Sequence, residues 1–331
     1  MSWTSSRRTL LAATGSLAAS AFLPGRGRGA DKIKLRMSTV ATPTDQRSRA
    51  LEEKFGPAVA DFAIYEPHYN GTLFKQATEL EAIARGNLEM AITSAQELAT
   101  FFPEFSIFTA GYVHRDAAHQ VRVFNDPLMQ PFKDKAEKEL GVKLLTVMYL
   151  GRRQLNLRTD KKIRTPEDLA GVKLRMPPAE AWQFLGKALG ANPVPMAFTE
   201  VYTALQTGAI DAQDNPLPTV RDSKFFEVTK QIVLTSHLVD LNYLAFSKKV
   251  WDKLTPEQQK ITQKAADDAA ELGRQRQLAL EAELVQFFKD KGLEVYEPDL
   301  AAFRARVQKA YLESDYAKNW PKGVLEKINA L

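Results

Sequence analysis

The sequence predicts an α/β fold that is divided into two lobes. Its 331 residues are enough for about two domains, and 44% hydrophobic with 26% charged residues is ordinary for a globular protein with a sizeable core. Strand-like and helix-like segments alternate along the N-terminal third, which favours a parallel sheet. A helix–glycine–strand pattern also occurs once in each half of the chain, as two similar lobes would give.

The N-terminal third provides the alternation. Strand periodicity occurs at 32–40, 61–67 and 88–93, and helical periodicity occurs at 51–55 and 76–84. Parallel sheets bind ligands beyond the carboxyl ends of their strands. We therefore expect the loops 39–45 and 70–73 to face a cleft.

The repeated pattern covers 79–92 and 200–211. In each copy a helix ends at a glycine, Gly86 or Gly208, and a short apolar strand follows directly. Chance similarity between two ordinary helix ends is the alternative to an internal repeat.

Two helix starts have strong capping signals. Thr165 and Thr255 each precede a proline and have an acid or an amide three residues later. From Pro256 to about Lys291 the helical pattern is unbroken, which predicts a helix of roughly 50 Å that is long enough to cross both lobes.

Residues 1–30 are predicted to be an export signal that is removed. Arg7 and Arg8 precede a run of small and apolar residues that ends at Leu23, and no acidic residue is present. This pattern is typical of a twin-arginine signal, with cleavage expected after Ala30. The run is shorter than the ~20 apolar residues of a membrane-spanning helix. We therefore expect the protein in the periplasm.

The composition argues against several classes of function. Removal of residues 1–30 takes away four arginines and no acid, so the formal charge falls from +5 to +1 and no basic face for a nucleic acid is expected. The chain has no cysteine. Among its four histidines only His114 and His119 lie close in sequence, and surface or structural roles are expected for them. We expect no metal and no cofactor.

Arg175 is the residue that the sequence marks most clearly for ligand binding. It lies in 171–177, an alternating segment closed by two prolines and therefore predicted to be a short strand that ends at a turn. A guanidinium in this place can face a cleft and bind a carboxylate through two parallel hydrogen bonds. A structural ion pair with Asp168 or Asp211 is the alternative.

Four motifs occur in a fixed order along the chain. They are Gly151-Arg-Arg-Gln, the segment 165–177, the segment 190–208 and Asp211-Ala-Gln-Asp-Asn-Pro. Together they resemble the solute-binding proteins of tripartite ATP-independent periplasmic (TRAP) transporters, the DctP family, over essentially the whole chain after the signal. The sequence differs from the usual family pattern at Ala212 and Asp214, where the family more often has Gly and Glu.

The resemblance implies a two-lobed periplasmic binding-protein fold, type II-like, with a hinged cleft and a long helix that spans both lobes. Lobe I would comprise 31–151 with about 240–279, and lobe II would comprise 152–239 with about 280–331. The implied function is the capture of a small organic acid by closure of the cleft, followed by delivery to the small and large permease subunits in the membrane. A hydroxylated monocarboxylate, such as an aldonate or a uronate, and a dicarboxylate both fit this expectation.

The resemblance also implies which residues bind the ligand. Arg175 matches the arginine that pairs with the ligand carboxylate, Arg153 matches a second basic residue of the cleft, and Asn215 matches the amide that closes on the ligand. Because Arg152 and Arg153 are adjacent in an extended segment, only one of them can face the cleft. Asn215 before a proline also fits a simple turn.

Four further residues are weaker candidates. Phe198 and Glu81 match family positions that often line the pocket, although core packing is the alternative for Phe198. Asp240 and Asn242 are candidates from their residue types, since both can hydrogen-bond ligand hydroxyl groups across a hinge.

Two other classes of function compete with this interpretation. A binding protein of an ATP-driven importer or of a sensor would have the same fold. An enzyme that uses a bound carboxylate is the second alternative, but the sequence has no Gly-x-Ser-x-Gly elbow and no glycine-rich phosphate loop. We therefore expect a binding protein and not an enzyme.

Overall fold

The computed structural model describes residues 32–331. The predicted twin-arginine signal and its cleavage site lie outside the described residues. Within the described range, no helix combines the length and the apolar composition that are needed to cross a membrane.

The strands and helices alternate over most of the described chain. The strands are β1 (Ile33–Ser38), β2 (Ala63–His68), β3 (Met90–Ser94), β4 (Val142–Leu157), β5 (Lys173–Met176), β6 (Asn192–Pro195), β7 (Ala212–Pro216), β8 (Gln231–Ser247) and β9 (Glu294–Tyr296). The helices are α1 (Gln46–Ala50), α2 (Gly56–Val59), α3 (Glu79–Ala84), α4 (Ala95–Leu98), α5 (Ala117–Asn125), α6 (Gln130–Leu140), α7 (Glu180–Leu189), α8 (Val201–Thr207), α9 (Leu217–Asp222), α10 (Lys248–Trp251), α11 (Pro256–Asp290), α12 (Leu300–Leu312), α13 (Asp315–Asn319) and α14 (Val324–Ala330).

The strands of residues 32–331 form one mixed sheet in the order β2-β1-β3-β8-β4-β7-β5-β6, with β9 beside β8. β1 pairs in parallel with β2 and β3, and β5 pairs in parallel with β6 and β7. The predicted parallel sheet is therefore found towards both edges. It is not found at the centre, where β8 is antiparallel to β3 and β4, and β4 is antiparallel to β7. The reason is that two long strands of opposite direction, β4 and β8, separate the two parallel halves.

β4 and β8 each contribute to hydrophobic clusters in both halves of the sheet. Within β4 the core changes between Met148, which packs with β1 and β3, and Leu155, which packs with β5. Within β8 it changes between Leu238 and Leu241. We call the half that contains β1–β3 lobe I and the half that contains β5–β7 lobe II. Each long strand thus belongs to both lobes, while the exact lobe boundaries stay a prediction.

α11 is the predicted long helix. Its 35 residues give a length of about 50 Å at 1.5 Å per residue. The predicted cap is present, because Thr255 Oγ1 accepts a hydrogen bond from Gln258 N (3.2 Å) and Gln258 Oε1 accepts one from Thr255 N (2.9 Å). The helix buries Ala266 and Ala270 in lobe I and Leu284 and Phe288 in lobe II. It therefore packs against both lobes.

The repeated pattern has the same structure in both lobes. α3 ends before Gly86 (φ +77°) and leads to β3, and α8 ends before Gly208 (φ +80°) and leads to β7. Each strand then lies between a parallel neighbour and a long antiparallel one, β1 and β8 in the first copy and β5 and β4 in the second. A shared supersecondary unit, one per lobe, accounts for the sequence similarity.

Two local expectations are corrected. Thr165 caps only a single 3₁₀ turn, Pro166–Leu169, because the chain enters β5 four residues later and leaves no room for a helix. The C-terminal helix α14 was assigned to lobe II by the predicted boundaries. Its Ile328 instead packs in the lobe I core, and Ile328 O lies 2.8 Å from the buried His119 Nε2.

Candidate ligand-binding site

A cavity lies between the lobes, where β4 and β8 cross. Its volume is about 80 Å³, several times the roughly 10–15 Å³ that one water needs. Residues of the loop 39–45 line it as predicted, whereas the loop 70–73 does not. Its basic and amide side chains come from both lobes: Arg47, Gln76, Arg153, Arg175, Asn215 and Asn242.

Arg175 on β5 lines this cavity and is 1% exposed. Its Nε donates to Met196 O (2.9 Å) and its Nη2 donates to Gln76 Oε1 (3.1 Å), and both acceptors are neutral. Burial, followed by repulsion from Arg153, lowers the pKa of Arg175 to about 9, so the side chain stays charged at neutral pH. A buried charge that lacks a counter-ion is costly, and a bound anion relieves that cost.

The structural alternative for Arg175 does not hold. Asp168 accepts hydrogen bonds from Thr165 N and Arg164 N, and Asp211 Oδ2 accepts one from Lys173 N (3.0 Å). Neither carboxylate reaches Arg175, and no other carboxylate of the described residues forms an ion pair with it. Arg175 is therefore available for a ligand anion.

Arg153 on β4 also lines the cavity, but it already has two acidic partners. Its Nε donates to Asp214 Oδ2 (2.7 Å) and its Nη1 donates to Asp240 Oδ2 (2.7 Å). Its guanidinium carbon lies 4.5 Å from the centre of the Trp182 ring, within cation–π range. The neighbouring Arg152 points elsewhere, since its Nη2 donates to Arg115 O (2.9 Å). Arg153 is thus the member of the pair that lines the cavity, and the side chains of Asp214 and Asp240 orient it there.

Asp214 orients Arg153 and is itself in contact with a buried histidine. His237 Nε2 lies 3.0 Å from Asp214 Oδ2, and Thr235 Oγ1 lies 2.7 Å from His237 Nδ1. Burial alone would raise the pKa of Asp214, but the Arg153 guanidinium and the His237 contact hold that pKa well below its usual range. The aspartate that departs from the family pattern therefore still pairs with Arg153 and is ionised.

Asn215 on β7 and Asn242 on β8 both present amide groups to the cavity. Asn215 Nδ2 donates to Gln213 Oε1 (2.6 Å), which leaves the Asn215 Oδ1 acceptor for other partners. Asn242 Oδ1 accepts a hydrogen bond from Arg47 Nη1. Arg47 is in turn held by Asp45, whose Oδ2 lies 2.8 Å from its Nη2. These contacts orient both amides.

Aromatic side chains close the lobe II side of the cavity. Phe198 lines it and packs edge-on against Phe225 with ring centres 5.7 Å apart. The guanidinium carbon of Arg175 lies 5.7 Å from the Phe198 ring centre. Phe198 N also donates to Gln76 Oε1 (2.9 Å), the same oxygen that accepts from Arg175. Phe198 thus serves both the core and the cavity wall.

Glu81 does not belong to the site. It is on the exposed side of α3, where its carboxylate lies 3.4 Å from Arg85 Nη2, and it does not line the cavity. The acid of this helix that lines the cavity is Glu79, two residues earlier and 5% exposed. Two residues on a helix differ by about 200° in direction, so the two side chains lie on opposite faces.

The sequence analysis missed several residues of the cavity wall: Arg47, Gln76, Glu79, Glu97 and Trp182. An available signal was the position of Gln76 just before the repeated helix and of Glu79 at its start. Arg47 and Trp182 had no such signal, because both occur in ordinary amphipathic helices. In the described chain no cluster of His, Asp and Glu is arranged to hold a metal ion.

Comparison with known proteins explains the arrangement. The family model of bacterial extracellular solute-binding proteins, family 7, matches residues 39–318. The chain belongs to this family. A sialic acid-binding periplasmic protein of Vibrio cholerae is 34% identical over 76% of this chain and 77% of its own length.

Solved structures of TRAP periplasmic solute-binding proteins are also similar to this family 7 protein. One from Roseobacter denitrificans, with bound 3-deoxy-D-manno-oct-2-ulosonic acid (KDO), is 68% identical, has a TM-score of 0.90 and covers 91% of this chain and 99% of that chain. Another from the same species, with bound L-galactonate, is 27% identical with a TM-score of 0.82 and covers 90% and 98%. The family 7 protein is the extracytoplasmic solute-binding component of a TRAP transporter, and it captures a small organic acid.

Proposed function

We propose that this family 7 protein binds KDO in the cavity between its lobes. The observation that carries the proposal is the 68% identity, over 91% of this chain, with a TRAP binding protein that holds KDO. KDO has one carboxylate and several hydroxyl groups, so it needs a cation at one end and hydrogen-bonding groups elsewhere.

The charges around the cavity suit such a ligand. Arg175 offers a guanidinium without an acidic partner, which supports binding of the KDO carboxylate. Asn215, Asn242 and Asp45 line the same cavity and can hydrogen-bond hydroxyl groups. Arg153, whose guanidinium is shared between two aspartates, is expected to add one donor at most.

Closure of the lobes is the expected mechanism of capture. The anion binds first to Arg175 in lobe II, and residues of lobe I such as Arg47 and Gln76 then contact it from the other side. Contacts to both lobes favour the closed form over the open one. Exclusion of water strengthens the ion pair with Arg175.

The closed protein would deliver its ligand to the small and large TRAP permease subunits after export to the periplasm. It would have no enzymatic activity, because the cavity residues are arranged to hold an anion and the nearby acids are paired or buried. A binding protein of an ATP-driven importer or of a sensor is the alternative that the family comparison disfavours.

Calorimetry and thermal unfolding test the proposed ligand. Protein stripped of copurified ligand is titrated with KDO, sialic acid, L-galactonate and a C4-dicarboxylate, with Arg175→Met as the control. We expect KDO to bind most tightly and to raise the unfolding midpoint by several degrees when it is at about a thousand times its dissociation constant. Tighter binding of sialic acid or L-galactonate would replace KDO as the ligand. Binding of none of the acids would refute anion capture at this cavity.

A further inference from the structure

Acidic side chains line part of the cavity between the lobes, although the ligand proposed for this cavity is an anion. Five acidic side chains line it, and three of them have cationic partners: Asp45 pairs with Arg47, Asp222 with Arg221 and Asp240 with Arg153. Glu79 and Glu97 have no cation within ion-pair distance among residues 32–331. Both belong to lobe I, and Glu79 is buried whereas Glu97 is half-buried.

The two glutamates have different hydrogen-bond partners. Glu97 Oε2 accepts from Thr93 Oγ1 (2.8 Å) and from Ser94 N (2.8 Å), which completes the cap of α4. The Glu97 carboxylate therefore has a structural role as part of the α4 cap. Glu79 Oε2 accepts from Thr78 N (3.1 Å), and no side chain of the described residues donates to Glu79. Glu79 is left with hydrogen-bonding capacity at the cavity wall.

The surroundings of Glu79 favour its neutral form. Burial and then the nearby Glu97 raise the pKa of Glu79 to about 9, against the smaller lowering effect of the backbone N–H groups of 77–79, and burial also raises the pKa of Glu97. A neutral carboxyl has one O–H donor in addition to an acceptor, whereas a carboxylate only accepts. An anionic ligand paired with Arg175 in the same closed cavity would make ionisation of Glu79 still less favourable.

We propose that Glu79 is a specificity-determining residue that binds the sugar acid as a neutral carboxyl and donates a hydrogen bond to a ligand oxygen. The inference rests on the proposed function, because it assumes a hydroxylated anion in this cavity. Its geometric basis is the buried position of Glu79 on the wall of the cavity that Arg175 also lines, with no cation of residues 32–331 within ion-pair distance of Glu79.

The proposal makes ligand affinity depend on pH. The open form exposes Glu79 to water and ionises it more readily than the closed form, so binding takes up a proton and affinity falls as pH rises. The other charged groups at the cavity are Glu97 on α4, Asp240 on β8, Arg153 on β4, Arg175 on β5, Asp45 and Arg47 at α1, and Asp222 on α9. All of them are retained in a Glu79→Gln variant, so the difference between the two pH profiles isolates Glu79.

The experiment compares KDO binding to the wild type, Glu79→Gln and Glu79→Ala by calorimetry from about pH 6 to about pH 9.5. Glu81→Gln is the matched control, because Glu81 is on the same helix but outside the cavity. We expect the wild type to lose affinity with rising pH and Glu79→Gln, a permanent neutral donor, to lose less. Glu79→Ala should bind roughly ten-fold more weakly or worse near neutral pH, since a ligand oxygen loses its partner. The Glu81→Gln profile should follow the wild type.

Equal weakening by Glu79→Gln and Glu79→Ala would overturn the proposal, because a neutral side chain with a donor would then not replace the carboxyl group. Infrared spectroscopy gives a readout that does not depend on the ligand. The carbonyl stretch of a protonated carboxyl should be present in the wild type at neutral pH and reduced in Glu79→Gln, and its absence from the wild type would also overturn the proposal. If KDO fails to bind the wild type, the choice of KDO fails, and the same variants are titrated with L-galactonate or sialic acid.

Discussion

At the scale of single residues, the two arginines of the cavity have opposite surroundings. Arg175 is buried beside neutral acceptors, whereas Arg153 is buried between two aspartates. A ligand anion would give Arg175 a counter-ion, whereas Arg153 already has two. The same substitution at the two positions should therefore have different effects.

Arg175→Met should weaken ligand binding strongly and leave the fold intact. Loss of the charge-assisted contact should weaken binding of KDO by about 2–5 kcal/mol, or roughly 30-fold or more. The free energy of unfolding of the ligand-free protein should stay the same or rise, because a buried charge without a counter-ion is removed. Calorimetry and urea unfolding measure the two quantities. A large loss of stability would instead assign Arg175 a structural role.

Arg153→Met should destabilise the ligand-free protein. It leaves Asp214 and Asp240 buried without their cation, which is expected to cost about 3–5 kcal/mol. Arg152→Met is the matched control and should cost about 1 kcal/mol or less, because the Arg152 side chain donates only to a backbone carbonyl. Urea unfolding of both variants makes the comparison, and equal stability would contradict the structural role of Arg153.

The sequence predicted the residues of the site that belong to compact motifs. All four residues that the motifs predicted most directly line the cavity: Arg175 and Asn215 near strand ends, Phe198 in the turn after β6, and Arg153 within β4 where it passes between the lobes. Which of them contact a ligand stays a prediction. Glu81 was misplaced because α3 is short and its rotation about the helix axis depends on tertiary packing, which the local pattern does not determine.

At the scale of elements, the crossing of β4 between the lobes depends on a glycine. Gly151 has φ +131°, and a β-carbon there would lie 2.5 Å from Glu281 Oε1 and 2.6 Å from Pro216 Cβ. The register of β4 against β8 also shifts between Tyr149 and Gly151. The strand bends at this residue, and α11 packs directly over it.

Gly151→Ala should therefore cost about 2–4 kcal/mol, from backbone strain and from the close contacts. Gly171→Ala is the matched control, since Gly171 also has positive φ (+79°) but has nothing within 4 Å of the added carbon. Only the backbone cost of about 1 kcal/mol is expected there. Chemical denaturation of the two variants distinguishes the contributions, and equal losses would show that the contacts at Gly151 relax.

The elements with local signals were predicted well. β1, β2, β3 and β5 have short alternating patterns, and α11 has a strong cap and an uninterrupted period, so their positions agree with the sequence. The antiparallel centre of the sheet was not predicted. The pairing of β8 with β3 and β4 joins segments far apart in the chain, and no local pattern reports such a partner.

At the scale of the whole molecule, stability should depend on pH through buried titratable groups. Burial and the neighbouring His119 lower the pKa of His114 to about 3, and within residues 32–331 no group makes a hydrogen bond of good geometry to either ring nitrogen of His114. The unfolded chain then binds the additional proton between about pH 6.5 and pH 3, so this contribution to stability is lost as pH falls through that window.

His114→Phe should reduce the loss of folding stability that occurs as pH falls. The substitution removes a buried group that must ionise on unfolding, and it keeps a ring to pack against His119, whose centre is 5.5 Å away. Unfolding midpoints between about pH 7 and pH 4 should fall less in the variant than in the wild type. Parallel curves for the two proteins would show that other groups, such as Asp214, dominate the acid response.

On the alkaline side, Glu79 acts in the opposite direction. Its raised pKa means that the folded protein holds a proton that the unfolded chain releases, so stability is lost as pH rises between about 4.5 and about 9.

The two-lobed architecture itself followed from the repeat and from the family resemblance. The polarity of the cavity did not, because it depends on side chains that the fold brings together from both lobes.

The central position of β8 has a consequence for biosynthesis. β8 is the strand that pairs with both β3 and β4. It becomes available only after residues 231–247 have left the ribosome, more than two thirds of the way through translation. Until then the nascent chain exposes two unpaired strand edges, which are prone to association with other chains. A chain truncated before Gln231 would leave neither lobe with a complete sheet, so the two lobes are not separable folding units, and proteolytic fragments that end there should be degraded or aggregate instead of surviving as a functional half.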